Sequence, residues 1–378
     1  MNDYILVTAE KFGYGPIITC LNVVKKLKPM AEKNGLKLVF LGTSIAKEQA
    51  EKSGLFNEIL ECETFDYSKL KEFKTLFENA KAILCSENQF GAIYAKSLGL
   101  KNVFFLDNLV WMWDKITDGL ENVDGYFISE IFDSHENFSK IGGKVKNAIF
   151  VGPLRDINSR KYKSKNELII NFGGAEAFML DKSIVDKFYN KIVRELLIDE
   201  VVEKFDKIYV CGGSGVISSL HGDYSAKVIF KSMSNDEYLK KLHSCSHVIM
   251  SSGLGNYIES VGINKNIMYI PPINYSQLLQ LKKYEKLNLG FVLINWDKYS
   301  FYKQVPELLD EETGVNMVVE NAKKYISTDE TIVSEEVLKF IKQPQDKCFE
   351  KRQSYIRNFP KNAAEVVASC IIKSIKGW

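Results

Sequence analysis

The chain has 378 residues, 46% hydrophobic and 26% charged, the composition of a folded protein too long for one ordinary core. Its formal net charge is only +2, and Arg occurs only at Arg155, Arg160, Arg194, Arg352 and Arg357. Both facts argue against nucleic acid or acidic polymers as general partners.

The first residues, after Met1, lead straight into a strand, with no signal-peptide pattern, and no apolar run reaches the ~20 residues of a membrane span. Seven scattered Cys with no Cys-x-x-Cys pair fit reduced thiols, so a cytoplasmic setting is expected. Contact with a membrane surface is left open. Tyr4–Val7 reads as the first strand, Thr8–Gly15 as a loop, and Pro16 as the first turn of a helix with Ile17, Leu21, Val24 and Leu27 on one face. Pro29 is expected to end or kink that helix. Further strands are expected at Leu38–Leu41, Glu58–Leu60, Ala82–Cys85 and Val103–Leu106, with helical stretches between. This alternation predicts a doubly wound parallel sheet. Its ligand edge would gather the loops Thr8–Gly15, Ser86–Phe90 and Asp107–Trp113.

Val151-Gly152-Pro153 closes this domain, expected over 1–152, and 153–166 reads as a linker. A second domain of the same kind is expected over 167–355. It opens with a strand Leu168–Phe172, a turn Gly173-Gly174, and a helix after Met179. The strand Ile208–Cys211 precedes Gly212-Gly213, and Val228–Phe230 precedes Ser232-Met233-Ser234. Residues 356–378 include an amphipathic helix, Ala363–Ile375.

Cys245–Phe291 carries most of the functional signal. The strand His247–Met250 runs into Ser251-Ser252-Gly253 and a short helix. Small residues there let an anion reach the free N–H groups of a helix start. Asn256 and Glu259 share one helix face, and a carboxylate one turn in can accept bonds from ribose hydroxyls. A second strand stops at Pro271-Pro272, and Ser276-Gln277 opens the next helix.

This order resembles the donor half of B-fold (GT-B) nucleotide-sugar-dependent glycosyltransferases. Within them it is most similar to the family of the lipid-linked peptidoglycan N-acetylglucosaminyltransferase and related UDP-glycosyltransferases. The resemblance implies two Rossmann-like domains facing a cleft, with the last helix crossing back to the first domain. It gives Glu259 the ribose and Gln277 the donor sugar, and sets the base against the loop at Met233. Gly173, Gly174, Gly213, Ser252, Gly253 and Asn256 complete the expected donor site. Ser276 departs from the usual Asp or Gln at that position.

Inverting transfer needs a base for the acceptor and stabilisation of the departing diphosphate. No metal or cofactor is expected, since helix N-termini serve the second need and no Asp-x-Asp occurs. The His often found after the first strand in such enzymes is missing, so Glu10 is the first candidate base and Asp107 the second. Tyr14, Trp111 and Trp113, with Phe104, Phe105, Phe127 and Phe132 nearby, are the candidate acceptor surface. Gly13-x-Gly15 lacks the third glycine of a dinucleotide fingerprint, and no Gly-x-Ser-x-Gly elbow occurs. His243, Cys245 and His247 read as structural, because a closed metal site needs four convergent ligands. The expected activity is metal-independent inverting sugar transfer from a nucleoside diphosphate sugar, most simply a UDP-sugar, to an unidentified acceptor. A hydrolase or 2-epimerase on the same fold, and a non-catalytic nucleotide-sugar-binding subunit, are the alternatives.

Overall fold

The computed structural model describes residues 3–155, 162–175, 180–344, 348–360 and 362–377. The chain divides into two compact units, Met1–Asp156 with Arg357–Trp378, and Ile157–Ile356. The expected linker lies partly at 156–161, outside the described residues, and so do Met179 and the three residues before it.

The first unit holds β1 (Tyr4–Ala9), β2 (Lys37–Gly42), β3 (Glu58–Glu61), β4 (Ala82–Ser86), β5 (Val103–Asp107), β6 (Gly125–Ser129) and β7 (Ala148–Val151). All pairings are parallel, in the order β3-β2-β1-β4-β5-β6-β7. The chain therefore reverses direction across the sheet between β1 and β4. In open α/β sheets that point forms a ligand crevice beyond the strand ends.

Two core clusters cover the two faces of this sheet. Alternate residues of one strand enter opposite clusters, Phe104 one and Phe105 the other. Phe104, Phe105 and Phe127 are buried core, which corrects their reading as acceptor-lining aromatics. Strand β6 is not evident from the sequence because Gly125, Tyr126 and Ser129 dilute its apolar run. The glycine has a packing reason, since a Cβ at Gly125 would stand 2.8 Å from the Phe104 ring.

The helix Gly15–Lys33 passes through Pro29 without stopping there. Leu27 and Ala31, buried on either side of the proline, anchor the last turn to the core and offset the lost hydrogen bond. The helix Ala363–Lys376 belongs to this same unit. Its Val367, Ala368 and Ile371 join Ile17, Leu21 and Val24 in one cluster. The returning chain passes so close to Gly152 that a Cβ there would lie 2.2 Å from the Pro360 carbonyl oxygen.

The second unit holds β8 (Lys165–Asn171), β9 (Lys207–Cys211), β10 (Val228–Lys231), β11 (Cys245–Met250), β12 (Asn266–Tyr269) and β13 (Val292–Leu293). These strands too are all parallel, ordered β10-β9-β8-β11-β12-β13, so the reversal falls between β8 and β11. His247 is core, with its ring 5.2 Å from Phe205 and 5.5 Å from Phe340, while His243 stacks on Tyr162. Burial first, then Lys204 and Lys265, lower the His247 pKa to about 4, so it is neutral. The buried Arg352 donates to the carbonyls of Ile263, Lys265 and Leu289, pinning the helix Phe349–Ile356 to this unit. Among the described residues, no helix is long and apolar enough to cross a membrane.

Candidate functional site

In the second unit, Asn171 ends β8 and Met250, its register partner, ends β11. The turns that follow are laced together. The Ser251 amide donates to the Asn171 carbonyl at 2.8 Å, and the Gly213 amide donates to the Gly173 carbonyl at 2.8 Å. Gly173 itself has φ +67°, and its amide donates to the Asn171 Oδ1 at 2.9 Å. A Cβ at Gly173 would sit 3.2 Å from the Ser251 hydroxyl, and one at Gly212 would sit 3.1 Å from the Gly173 carbonyl. Close approach thus favours glycine at both positions, and at Gly173 the left-handed backbone adds to it.

The helix Leu254–Val261 begins at Gly253 with no side-chain cap. Asp181, Ser234, Asn274 and Asp310 cap other helices of this unit. An uncapped start leaves the first-turn N–H groups of the 253–256 segment without intrahelical partners, at the positive end of the helix dipole. It lies at the reversal point between β8 and β11, where a diphosphate fits by both arguments.

The polar side chains of the motif are largely occupied. The Ser252 hydroxyl is fully buried and donates to the Gln277 carbonyl at 3.1 Å. Asn256 accepts from Asn171 Nδ2 at 2.9 Å and donates to the Ser251 carbonyl at 3.0 Å. The Gln277 Oε1 accepts from the Ile273 amide at 3.0 Å, folding that side chain over its own loop. These three hold the turns in place. Glu259, expected to meet the ribose, is buried at 8% exposure. After burial, its charge is the next cause pushing the Tyr238 phenol well above its usual pKa. Met233 is buried, and the neighbouring Ser234 hydroxyl accepts from the Glu237 amide to start the helix Asn235–Ser244.

In the first unit, Glu10 follows β1 and is 7% exposed. Its amide donates to the Ser86 carbonyl at 3.0 Å, and its Oε1 accepts from the Lys11 amide at 2.8 Å. Burial raises its pKa to about 8, the Lys11 amide opposes, and the charge of Glu87 adds to the rise. Glu87, directly after β4, lies on the same sheet edge, and the sequence alone does not single it out. Burial raises its pKa to about 7, Asn108 opposes, and Asp107 adds. Asn108 Nδ2 donates both to the Glu87 Oε1 and to the Thr19 hydroxyl.

Asp107 is the weaker candidate base. Its carboxylate accepts from the Tyr126 hydroxyl at 2.6 Å, the Leu109 amide at 2.7 Å and the Trp113 Nε1 at 3.2 Å. With its oxygens already taken, it anchors the loop that carries Trp113. Trp111 is 5% exposed and packs edge-on against Phe132 at 5.0 Å, so its ring is core. Tyr14 and Trp113 are half-buried. A second aromatic group, not apparent in the sequence, lies on the same sheet edge. Phe65 contacts Phe12 at 5.4 Å and Phe90 at 4.7 Å, and Tyr67 contacts Phe90 at 4.9 Å.

No protein-family model matches the sequence, and no curated protein matches it. Solved structures do share its fold. UGT89C1 of Arabidopsis thaliana, complexed with quercetin, is 10% identical with a TM-score of 0.51, over 99% of this chain and 100% of that one. UGT71G1 of Medicago truncatula, complexed with UDP-glucose, is 11% identical with a TM-score of 0.51, over 100% and 99%. A UDP-glucosyltransferase from Polygonum tinctorium capable of glucosylating indoxyl is 12% identical with a TM-score of 0.52, again over 100% and 99%. The two-sheet architecture of this chain is thus the GT-B fold.

Proposed function

We propose that this chain is a glycosyltransferase that moves a sugar, with inversion and without a bound metal, from a UDP-sugar held by the second unit to an acceptor held by the first. The observation that carries the reading is the uncapped helix start at Gly253, set at the β8–β11 reversal with Glu259 on the same helix. That arrangement suits a diphosphate followed by a pentose. The UDP-glucose and quercetin bound by the fold's relatives support the same assignment.

In this mechanism the Glu10 carboxylate removes the proton of the acceptor nucleophile. The freed electron pair forms the bond to the anomeric carbon. The bond from that carbon to the diphosphate oxygen breaks, and its electrons stay on the leaving nucleoside diphosphate. First-turn N–H groups of the helix Leu254–Val261 stabilise the charge that develops there. A base with pKa near the working pH is the efficient choice, and Glu10 at about 8 meets that condition. Tyr14 and Trp113 are the acceptor-side residues of this reading.

The experiment is a thermal-shift and calorimetric screen against UDP-, TDP-, GDP- and CDP-sugars, repeated on Glu259→Ala. Stabilisation by a UDP-sugar, lost in the variant with the apo melting temperature kept, supports the proposal. Equal affinity of parent and variant for the nucleotide sugar rejects the assigned site.

A further inference from the structure

We infer that the first unit carries a small-molecule site of its own, a cavity at the N-terminal ends of β5, β6 and β7 that takes an anionic amphiphile, an apolar chain bearing one carboxylate. The site lies at the opposite ends of the strands from Glu10, and it does not rest on the transferase reading above.

The topology leaves this space open. A parallel sheet is ordinarily covered on both faces. The two helices of this half of the sheet, Gln89–Ser97 and Ser134–Ile141, pack on the same face, through Ala92, Tyr94 and Phe138. The chain between β5 and β6 forms only the short turn Leu120–Asn122 and sends no helix to the other face. There the cover is the helix Ala363–Lys376, which packs against the helix Gly15–Lys33. Between its Cys370 and Ser374 and the strands lies a cavity of about 520 Å³. At roughly 30 Å³ for each small group, the share of a water molecule in the liquid, that space holds on the order of fifteen heavy atoms. It falls within the range of ordinary ligand sites.

The lining sets the chemistry of the occupant. The walls are apolar, with buried Phe104 and Phe127 and half-buried Leu100 and Ile149. The mouth is charged, and its charges do not cancel. Lys96 donates to Asp124 at 3.1 Å and to the Leu100 carbonyl at 2.9 Å. Asp124 also accepts from the Val103 amide at 2.9 Å, so its carboxylate is already satisfied. Lys101 is exposed and makes no ion pair among the described residues. What remains for a ligand is one unpaired ammonium at the mouth of an apolar cavity. An apolar chain ending in a carboxylate answers both features, since the chain leaves water and the charge stays at the rim beside Lys101. A cation of the same shape would meet Lys101 as a like charge.

Cys370 lines the cavity and reports on it. It is half-buried, as is Cys348, whereas Cys20, Cys62, Cys85, Cys211 and Cys245 are buried. The full chain is alkylated with iodoacetamide with and without decanoate, and peptide mass spectrometry reads each cysteine. Decanoate at several times its Kd is expected to slow labelling of Cys370 about fivefold or more and to leave Cys348 unchanged. An unprotected Cys370, or equal slowing at both cysteines, overturns the site. Calorimetry then compares decanoate with decanol and decylamine, which keep the chain and lose or invert the charge. Equal binding of either overturns the anionic assignment. Two variants locate the binding. Ser374→Phe fills the cavity from a half-buried position whose hydroxyl bonds only within its own helix, and it is expected to abolish binding. Lys101→Glu is expected to weaken binding about five- to tenfold with the melting temperature kept. Parent affinity in a folded Ser374→Phe places the chain outside the cavity, and parent affinity in Lys101→Glu removes the ammonium from the site. Either result overturns the inference. Should Ser374→Phe fail to fold, Lys101→Glu and the labelling decide it.

Discussion

The Ser252 hydroxyl donates to the Gln277 carbonyl at 3.1 Å, tying the turn after β11 to the first turn of the helix Tyr275–Leu287. From the other side the Tyr284 hydroxyl donates to the Ser252 carbonyl at 3.2 Å. Two elements on either side of β12 are thereby held as one body behind the uncapped helix start at Gly253. On the proposed reading the serine would act on a ligand through position and not by contact. Ser252→Ala is expected to lower unfolding stability by about 1 kcal/mol, the worth of one hydrogen bond. Urea denaturation measures it, and calorimetry should find nucleotide affinity reduced no more than stability. A loss of binding far beyond the loss of stability would make the hydroxyl a direct ligand.

Leu254→Pro tests the backbone donors themselves. Proline is tolerated at the first position of a helix, where its missing N–H has no partner within the helix. It also demands an extended residue before it, and Gly253 already has φ −71° and ψ 145°. The variant should fold with little change in melting temperature. It should lose one donor to the diphosphate, roughly 1–2 kcal/mol of binding, or a 5- to 30-fold weaker Kd. Unchanged UDP affinity would place the phosphates elsewhere.

The two halves of the chain differ in how far their residues disclose their use. In the second unit the signal is local. A strand, small residues, a helix and a carboxylate follow one another within 247–259, so the reversal point can be read along one stretch. What cannot be read there is which polar atoms are spent. Ser252, Asn256 and Gln277 carry the pattern of ligand contacts, yet their partners are the neighbouring turns. In the first unit the signal is long-range. Glu10 and Glu87 follow register partners, Ala9 and Ser86, only because β1 pairs with β4. A backbone angle such as the φ of +54° at Glu87 leaves no mark on composition. The tryptophans mislead for a related reason, since an aromatic after a strand serves core and ligand surface alike, and only burial separates Trp111 from Trp113.

Asp107→Ala should behave as a structural lesion. It leaves the buried Tyr126 hydroxyl and the Trp113 indole N–H without their acceptor. The orphaned Tyr126 hydroxyl, which is fully buried, costs about 1–3 kcal/mol, and the half-buried indole N–H adds less. Denaturation should show a loss of that order, with indole fluorescence shifting to longer wavelength as the 107–113 loop loosens. Asp107→Asn, which keeps an oxygen acceptor, should recover part of the loss. A variant as stable as the parent but inactive would instead return Asp107 to the role of base.

The pH dependence of stability follows from the same carboxylates. Glu10 and Glu87 have folded pKa values of about 8 and about 7, against an ordinary value of 4.5. Between 4.5 and 7–8 these two groups therefore hold more protons in the folded chain than in the unfolded one. Their contribution to stability falls as pH rises through that window, because ionising a buried carboxyl opposes folding, while His247, with its pKa lowered to about 4, works the other way below 6.5. A tenfold difference in proton affinity between the folded and unfolded chain is worth about 1.4 kcal/mol, so the loss should be visible in urea midpoints. Glu10→Gln removes one of the two titrating groups. Its stability should decline less steeply from mildly acidic to mildly alkaline pH, and at the alkaline end it should exceed the parent. Parallel curves for parent and variant would mean that Glu10 ionises in the folded chain as readily as in the unfolded one.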